Sequence, residues 1–174
     1  MLKTIAIVVV VAILTVLIYA ATLPNSLHIE RSIKIKAAPQ KIFALINDFH
    51  RWEEWTPYNK DQAMKKTYSG SADGTGARYA WEGNKEVGKG EITIIESASP
   101  SRIALDLHMI EPFEARNHVV FALKAEGDST TVSWIMEGAQ TYFVKVMGVF
   151  FNMDKMVGKD FEAGLARLKA LAEK

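Results

Sequence analysis

The sequence predicts an α+β domain in which a curved antiparallel sheet closes over a long C-terminal helix, preceded by a single apolar helix. Three observations carry that prediction. No charged residue occurs from Thr4 to Leu27. From Leu27 to Gly138 the chain reads as a strand, a short helical stretch and six more strands with turn residues between them. From Phe143 onward, apolar residues return at helical spacing.

The first element is "IAIVVVVAILTVLIYAATL". About 20 helical residues, rising ~1.5 Å each, cross the ~30 Å hydrocarbon layer of a membrane. A cleaved signal peptide has a shorter apolar core and a small-x-small cleavage site. Here "LIYAATLP" puts Ile18 or Tyr19 where a small residue is required. The other alternative, a buried core helix of a soluble domain, is disfavoured because no polar face exists anywhere along the stretch. The expectation is a single-pass anchor and linker over residues 1–27 and a folded domain over 28–174. Lys3 and the amino terminus precede the span, and Arg31, Lys34 and Lys36 follow it. Because the later three fall in a predicted strand, the expected location of the domain is extracytoplasmic. The absence of cysteine fits either side of the membrane.

"LHIERSIKIKA" alternates Ile29, Arg31, Ile33 and Ile35 with Glu30, Ser32, Lys34 and Lys36, which is a strand with one mostly apolar face. "APQKIFALIND" follows, with Pro39 suited to a first helical turn and Ile42, Phe43, Leu45 and Ile46 as its apolar stripe. "NDFHRWEEWTPY" then reads as a short second helix or turn. Trp52 and Trp55, three apart, share a face there, and Pro57 ends it. Their expected work is to close one end of the sandwich, with Trp55 also offered as a cavity wall.

Six strands follow, the first of them, "AMKKTYSG", the weakest. On the others one face takes Tyr79 and Trp81, then Ile92 and Ile94, then Leu105, Leu107 and Met109. It continues with Asn117, Val119 and Phe121, and ends with Val132, Trp134 and Met136. Short turns such as Asp73-Gly74, Gly83-Asn84 and Gly127-Asp128 make the sheet antiparallel. If Glu111-Pro112-Phe113 joins two strands, Leu107 opposes Asn117 on the inner face. His108 then opposes Arg116, and Asp106 opposes His118, on the outer one. The tail reads as one helix, with Gly148, Gly158 and Gly164 marking either an interruption or a close approach, since each lowers helix propensity by about 1 kcal/mol relative to Ala.

The strand–helix order, "ND..RW.EW.PY", "TTVSWIMEG" and "MDKMVGKDFEAGLARLK" together resemble the START-like (SRPBCC) superfamily, in its polyketide cyclase/dehydrase-like branch. The resemblance covers residues 28–172. It implies a helix-grip fold whose apolar pocket binds lipids, polyketides or other hydrophobic ligands, and which catalyses a reaction in only some members.

On the residues themselves, the candidate ligand-binding set is Trp55, Tyr79, Trp81, Met109, Asn117, Phe121, Trp134 and Met136, with Asn117 the one polar side chain in its row. Lys and Arg number 21 against 20 Asp and Glu, and Lys3 is the only one before residue 28. The domain is electrically balanced and offers no footprint for nucleic acid. There is no Cys, no G-x-S-x-G and no histidine pair at metal spacing, and "GSADGTG" lacks the Lys-Ser/Thr of a phosphate loop. No cofactor or metal is implied, and no catalytic residue is identified beyond Arg78, Tyr79 or Glu137 as a cavity acid or base. The expected function is membrane-anchored binding of a hydrophobic small molecule or lipid. The alternatives are a cyclase or dehydratase using the same pocket, and a protein-binding module. Oligomeric state is left open.

Overall fold

The computed structural model describes residues 1–174. Helix α1 (Leu2–Thr22) leads through Leu23 to strand β1 (Ser26–Ile35), followed by helix α2 (Pro39–Asn47) and a 3-10 turn (Phe49–Glu54). Six strands come next: β2 (Lys65–Gly70), β3 (Ala77–Glu82), β4 (Lys89–Ala98), β5 (Arg102–Glu111), β6 (Ala115–Glu126) and β7 (Ser129–Ala139). Helices α3 (Tyr142–Phe150) and α4 (Met153–Ala172) complete the chain. All seven strands form one antiparallel sheet in the order β1-β7-β6-β5-β4-β3-β2. Irregularities in the β4–β5 pairing at Lys89/Gly90 and Ile94/Glu96 increase its local twist. The helix-grip architecture is therefore present, with the apolar helix in front.

The hairpin between β5 and β6 has the expected register: Leu107 opposes Asn117, His108 opposes Arg116 and Asp106 opposes His118. The aromatic segment is a 3-10 turn, capped by the Asp48 carboxylate, which accepts from the His50 amide at 2.8 Å. Both its tryptophans are buried, and each indole N–H donates to the end of α2, Trp52 to the Ile46 carbonyl and Trp55 to the Leu45 carbonyl. Burial of the rings is thereby made compatible with their polar atoms.

The single tail helix of the sequence reading is two helices. The break falls at Phe151-Asn152 and at none of the three glycines, because the Asn152 side chain accepts from the Lys155 amide and starts α4 afresh. Gly158 and Gly164 do mark close approaches. A Cβ on Gly158 would lie 2.0 Å from the Arg31 guanidinium, and one on Gly164 2.8 Å from the Trp134 ring. A Cβ on Gly148 would meet nothing within 4 Å beyond its own helix.

Helix α4 lies along β1. Arg31 reaches from the inner face of β1 to the Asp154 carboxylate at 3.0 Å and to Glu162 at 2.8 Å. At the other end Lys169 donates to the Lys34 carbonyl, and Glu173 accepts from the Lys36 amide, both at 2.7 Å. Phe161, Leu165 and Leu168 face the sheet, fully buried, each contributing on the order of 1.5–3 kcal/mol by leaving water.

Candidate functional site

Because strand neighbours are in register, the inner face can be followed row by row across the sheet. One row runs Arg31, Trp134, Phe121, Ile103, and the next Ile29, Met136, Val119, Leu105, Ile94. Every member but Arg31 is buried. The row beyond them crosses all seven strands as Leu27, Gly138, Asn117, Leu107, Ile92, Tyr79 and Tyr68. A shorter one follows, of Met109, Gly90, Trp81 and Lys66. In these outer two rows only Ile92 and Gly90 are buried, and the rest are half-exposed. The inner face is thus closed near α4 and open towards the strand ends that lie nearest α1.

This boundary divides the sequence-derived site residues. Trp55, Phe121, Trp134 and Met136 lie in the closed half. The Trp134 ring stacks on Phe161 of α4 at 4.1 Å with the planes 8° apart, and meets Phe121 at 4.9 Å and Trp55 at 5.7 Å. The space expected between the sheet and the final helix is filled here by these rings. One polar atom is stranded among them: the indole Nε1 of Trp134 is buried with no hydrogen-bond partner.

Tyr79, Trp81, Met109 and Asn117 lie in the open half. The Trp81 indole lies across Gly90, where an added Cβ would meet the ring at 2.6 Å, and its N–H donates to the Val87 carbonyl at 3.1 Å. The ring is therefore pinned in place. Asn117 similarly lies over Gly138, whose Cβ would fall 2.0 Å from the amide oxygen. Tyr79 stacks between Tyr68 at 5.3 Å and Trp81 at 5.8 Å.

Three neighbours escaped the sequence reading: Lys66, Tyr68 and Glu53. Lys66 opposes Trp81 and Tyr68 opposes Tyr79, while the Lys66 amine pairs with Glu53 at 2.5 Å. The signal was the period-two set Met64, Lys66 and Tyr68 in "AMKKTYSG", obscured because a lysine sits between its two apolar members. Burial, then the neighbouring Tyr68 and Glu53, push the Tyr79 phenol above its ordinary pKa. Tyr68 is raised likewise, first by burial and then by Glu53. Both phenols are protonated across the neutral range, hydrogen-bond donors rather than bases.

Arg78 and Glu137, the other candidate acids or bases, face away from this surface. Arg78 approaches Glu91, and Glu137 accepts from or pairs with His28 at 2.9 Å. His28, Glu137, His118 and Asp106 form one outer-face row and line an open groove of about 610 Å³ with Arg116. No three His, Asp or Glu side chains in the protein converge at metal-binding distance.

Residues 26–173 match the family described as polyketide cyclase / dehydrase and lipid transport. Among solved structures, ginseng major latex-like protein 151 from Panax ginseng superposes with a TM-score of 0.63 at 11% identity, covering 87% of this chain and 100% of its own. A protein from Chromobacterium violaceum gives 0.60 at 14% identity, covering 87% and 99%. The Aha1 dimer from Colwellia psychrerythraea gives 0.58 at 17% identity, covering 84% and 96%. At these identities the likeness establishes the fold alone. No curated protein matches the chain. The family match spans nearly the whole chain after α1, and the seven-stranded sheet gripping α4 agrees with it: the chain belongs to the polyketide cyclase / dehydrase and lipid transport family.

Proposed function

We propose that this protein binds a hydrophobic small molecule or lipid beside a membrane to which α1 anchors it. The observation that carries this reading is the open half of the inner face. Tyr79, Trp81, Leu107, Met109 and Leu27 offer an apolar bed with Asn117 as its polar point, at the end of the sheet from which β1 leads back to α1. Pockets for apolar ligands combine such a lining with few polar groups. Helix α1 is long and apolar enough to cross a bilayer, and of its residues only Ala20 is buried in the protein. The anchor keeps the site next to the phase where such ligands dissolve. With Lys3 and the amino terminus retained in the cytoplasm, the domain lies outside. Protease added to intact cells then cleaves it, and protection would reverse that orientation.

The binding test is quenching of tryptophan emission by a brominated fatty acid, using the full chain in detergent. Saturable, stoichiometric quenching is expected. Trp81→Phe removes most of it, and Trp134→Phe, in the closed half, leaves it largely intact. Linear, unsaturable quenching, or indifference to Trp81→Phe, overturns the site.

The Lys66–Glu53 pair beside two protonated phenols favours one second reading, a cyclase- or dehydratase-type reaction in which Tyr79 donates a hydrogen bond to a substrate carbonyl. Tyr79→Phe would then abolish turnover of a polyketide-like substrate and spare its binding. Unchanged turnover removes Tyr79 from the reaction.

A further inference from the structure

Helix α3 is built inside out. A surface helix of a water-soluble domain buries its apolar stripe and shows its charges to solvent. In α3 the only charged residue, Lys145, is 6% exposed, its amine donating to the Asn25 side chain. Phe143, Met147 and Phe150, at i, i+4 and i+7, form the outward face, with Phe143 53% and Phe150 65% exposed. Phe151 prolongs this face, and Phe113, on the β5–β6 hairpin, packs against Phe143 at 5.5 Å and is itself exposed.

The position of α3 says what covers this face. It packs on α1, and the Tyr142 hydroxyl donates to the Leu17 carbonyl at 2.8 Å. Leu17 lies five residues before the end of α1 at Thr22, or ~7–8 Å inside it at ~1.5 Å per residue. Helices that lie in a membrane interface bury their apolar face by about 5–10 Å at this same depth. A bilayer spanned by α1 therefore meets the exposed face of α3 as well.

We propose that α3, with Phe151 and the Phe113 hairpin, lies in the lipid headgroup–acyl boundary as a second membrane contact. It rests on the reading of α1 as a membrane anchor. The contact is apolar: with Lys145 turned inward, it needs no anionic lipid and is insensitive to salt. It also holds the open half of the inner face against the bilayer. Leu27, Asn117 and Met109 belong to strand ends that α3 and the hairpin flank, so an apolar ligand passes between membrane and sheet without crossing water.

The test uses the full chain in phosphatidylcholine vesicles. The protein has no cysteine, so single cysteines introduced by Phe143→Cys, Phe150→Cys and Lys124→Cys each carry one environment-sensitive fluorophore. Lys124 is an exposed site on β6, nine residues or ~30 Å from the anchor end of that strand, and serves as the reference. With lipids brominated near the headgroup end of the acyl chain, labels at 143 and 150 lose roughly half or more of their emission and the label at 124 little. Raising the salt leaves this unchanged. Labels at 143 and 150 that aqueous iodide quenches as readily as at 124 overturn the proposal. Labels shielded from both quenchers overturn it too, pointing to a protein partner or a second copy on that face. If the parent chain fails to float with vesicles, the anchor falls as well. The quenching at Trp81 by a bound fatty acid in detergent is read separately and stands or falls independently.

Discussion

Helices α3 and α4 are consecutive and both amphipathic, yet they meet opposite surroundings. In α4, Phe161 is stacked on Trp134 under the sheet, and the charges Asp154 and Glu162 point out to Arg31. In α3, Phe150 is bare and the single lysine is tucked inward. Apolar periodicity alone announces that a helix has a face to cover. It does not name the cover, which for α4 is protein and for α3 is a surface the chain does not supply.

The largest test of this contrast compares two phenylalanines. Phe161→Ala empties a closed, ring-lined site and should cost about 3–5 kcal/mol. Phe150→Ala should change stability by no more than about 0.5 kcal/mol, both measured by denaturant melts in detergent. A similar loss at both positions would mean that the α3 face is packed after all.

The glycines sharpen the contrast by sign. A Cβ at Gly164 meets Trp134 at 2.8 Å and Pro57 at 3.0 Å, and overpacking a core costs about 1–3 kcal/mol. The helix-propensity gain of ~1 kcal/mol does not offset that, so Gly164→Ala should lower the melting temperature. Gly148→Ala, with open space around it, should raise stability by about 0.5–1 kcal/mol. Equal signs would break the distinction.

Removing residues 1–22 should leave a fragment that still melts cooperatively, since the rings under α4 owe nothing to α1. Helix α3 should then lose amide-exchange protection. It has nine residues, below the ~12–15 at which isolated helices become marginal, and forfeits a Tyr142 hydrogen bond worth about 0.5–1.5 kcal/mol. Retained protection in α3 would show that it docks on the sheet domain by itself.

The smallest effect is on pH. Hydrogen bonding to Arg31 holds the Asp154 carboxyl below the usual carboxylate range. A depressed folded-state pKa gives stability that is complete above the unfolded value, near pH 4, and is lost as pH falls through the folded value. Acid should therefore loosen the start of α4 first, and Arg31→Met should flatten that dependence. Helix α3 carries no carboxylate and should show none. Hydrogen exchange at pH 3 against pH 6 separates the two.

Much of the fold was legible because a strand's period of two needs no neighbour to be read. The inner-face assignment of Tyr79, Trp81, Met109, Asn117, Phe121, Trp134 and Met136 came from that period, and the β5–β6 register from the length of one hairpin. The break at Asn152 was not legible, since one polar cap inside "GVFFNMDK" is a weak local signal against a long apolar run. Lys66 and Tyr68 were missed because β2 is a short edge strand whose adjacent Lys65 and Lys66 fall on opposite faces and mask the hydrophobic period.

By itself the sequence determined the order of elements, the apolar span, the face on which each strand residue lies and the electrical balance of the domain. These depend on residues a few positions apart and on their sum. Only the tertiary structure decided which part of the inner face is closed. That depends on where α4 begins along β1, which Arg31, Gly158 and Asp154 settle across more than a hundred residues of chain. The same holds for α3: its composition said apolar, but only the tertiary structure seated Tyr142 against Leu17 of α1, turned Lys145 inward and left Phe143 and Phe150 exposed.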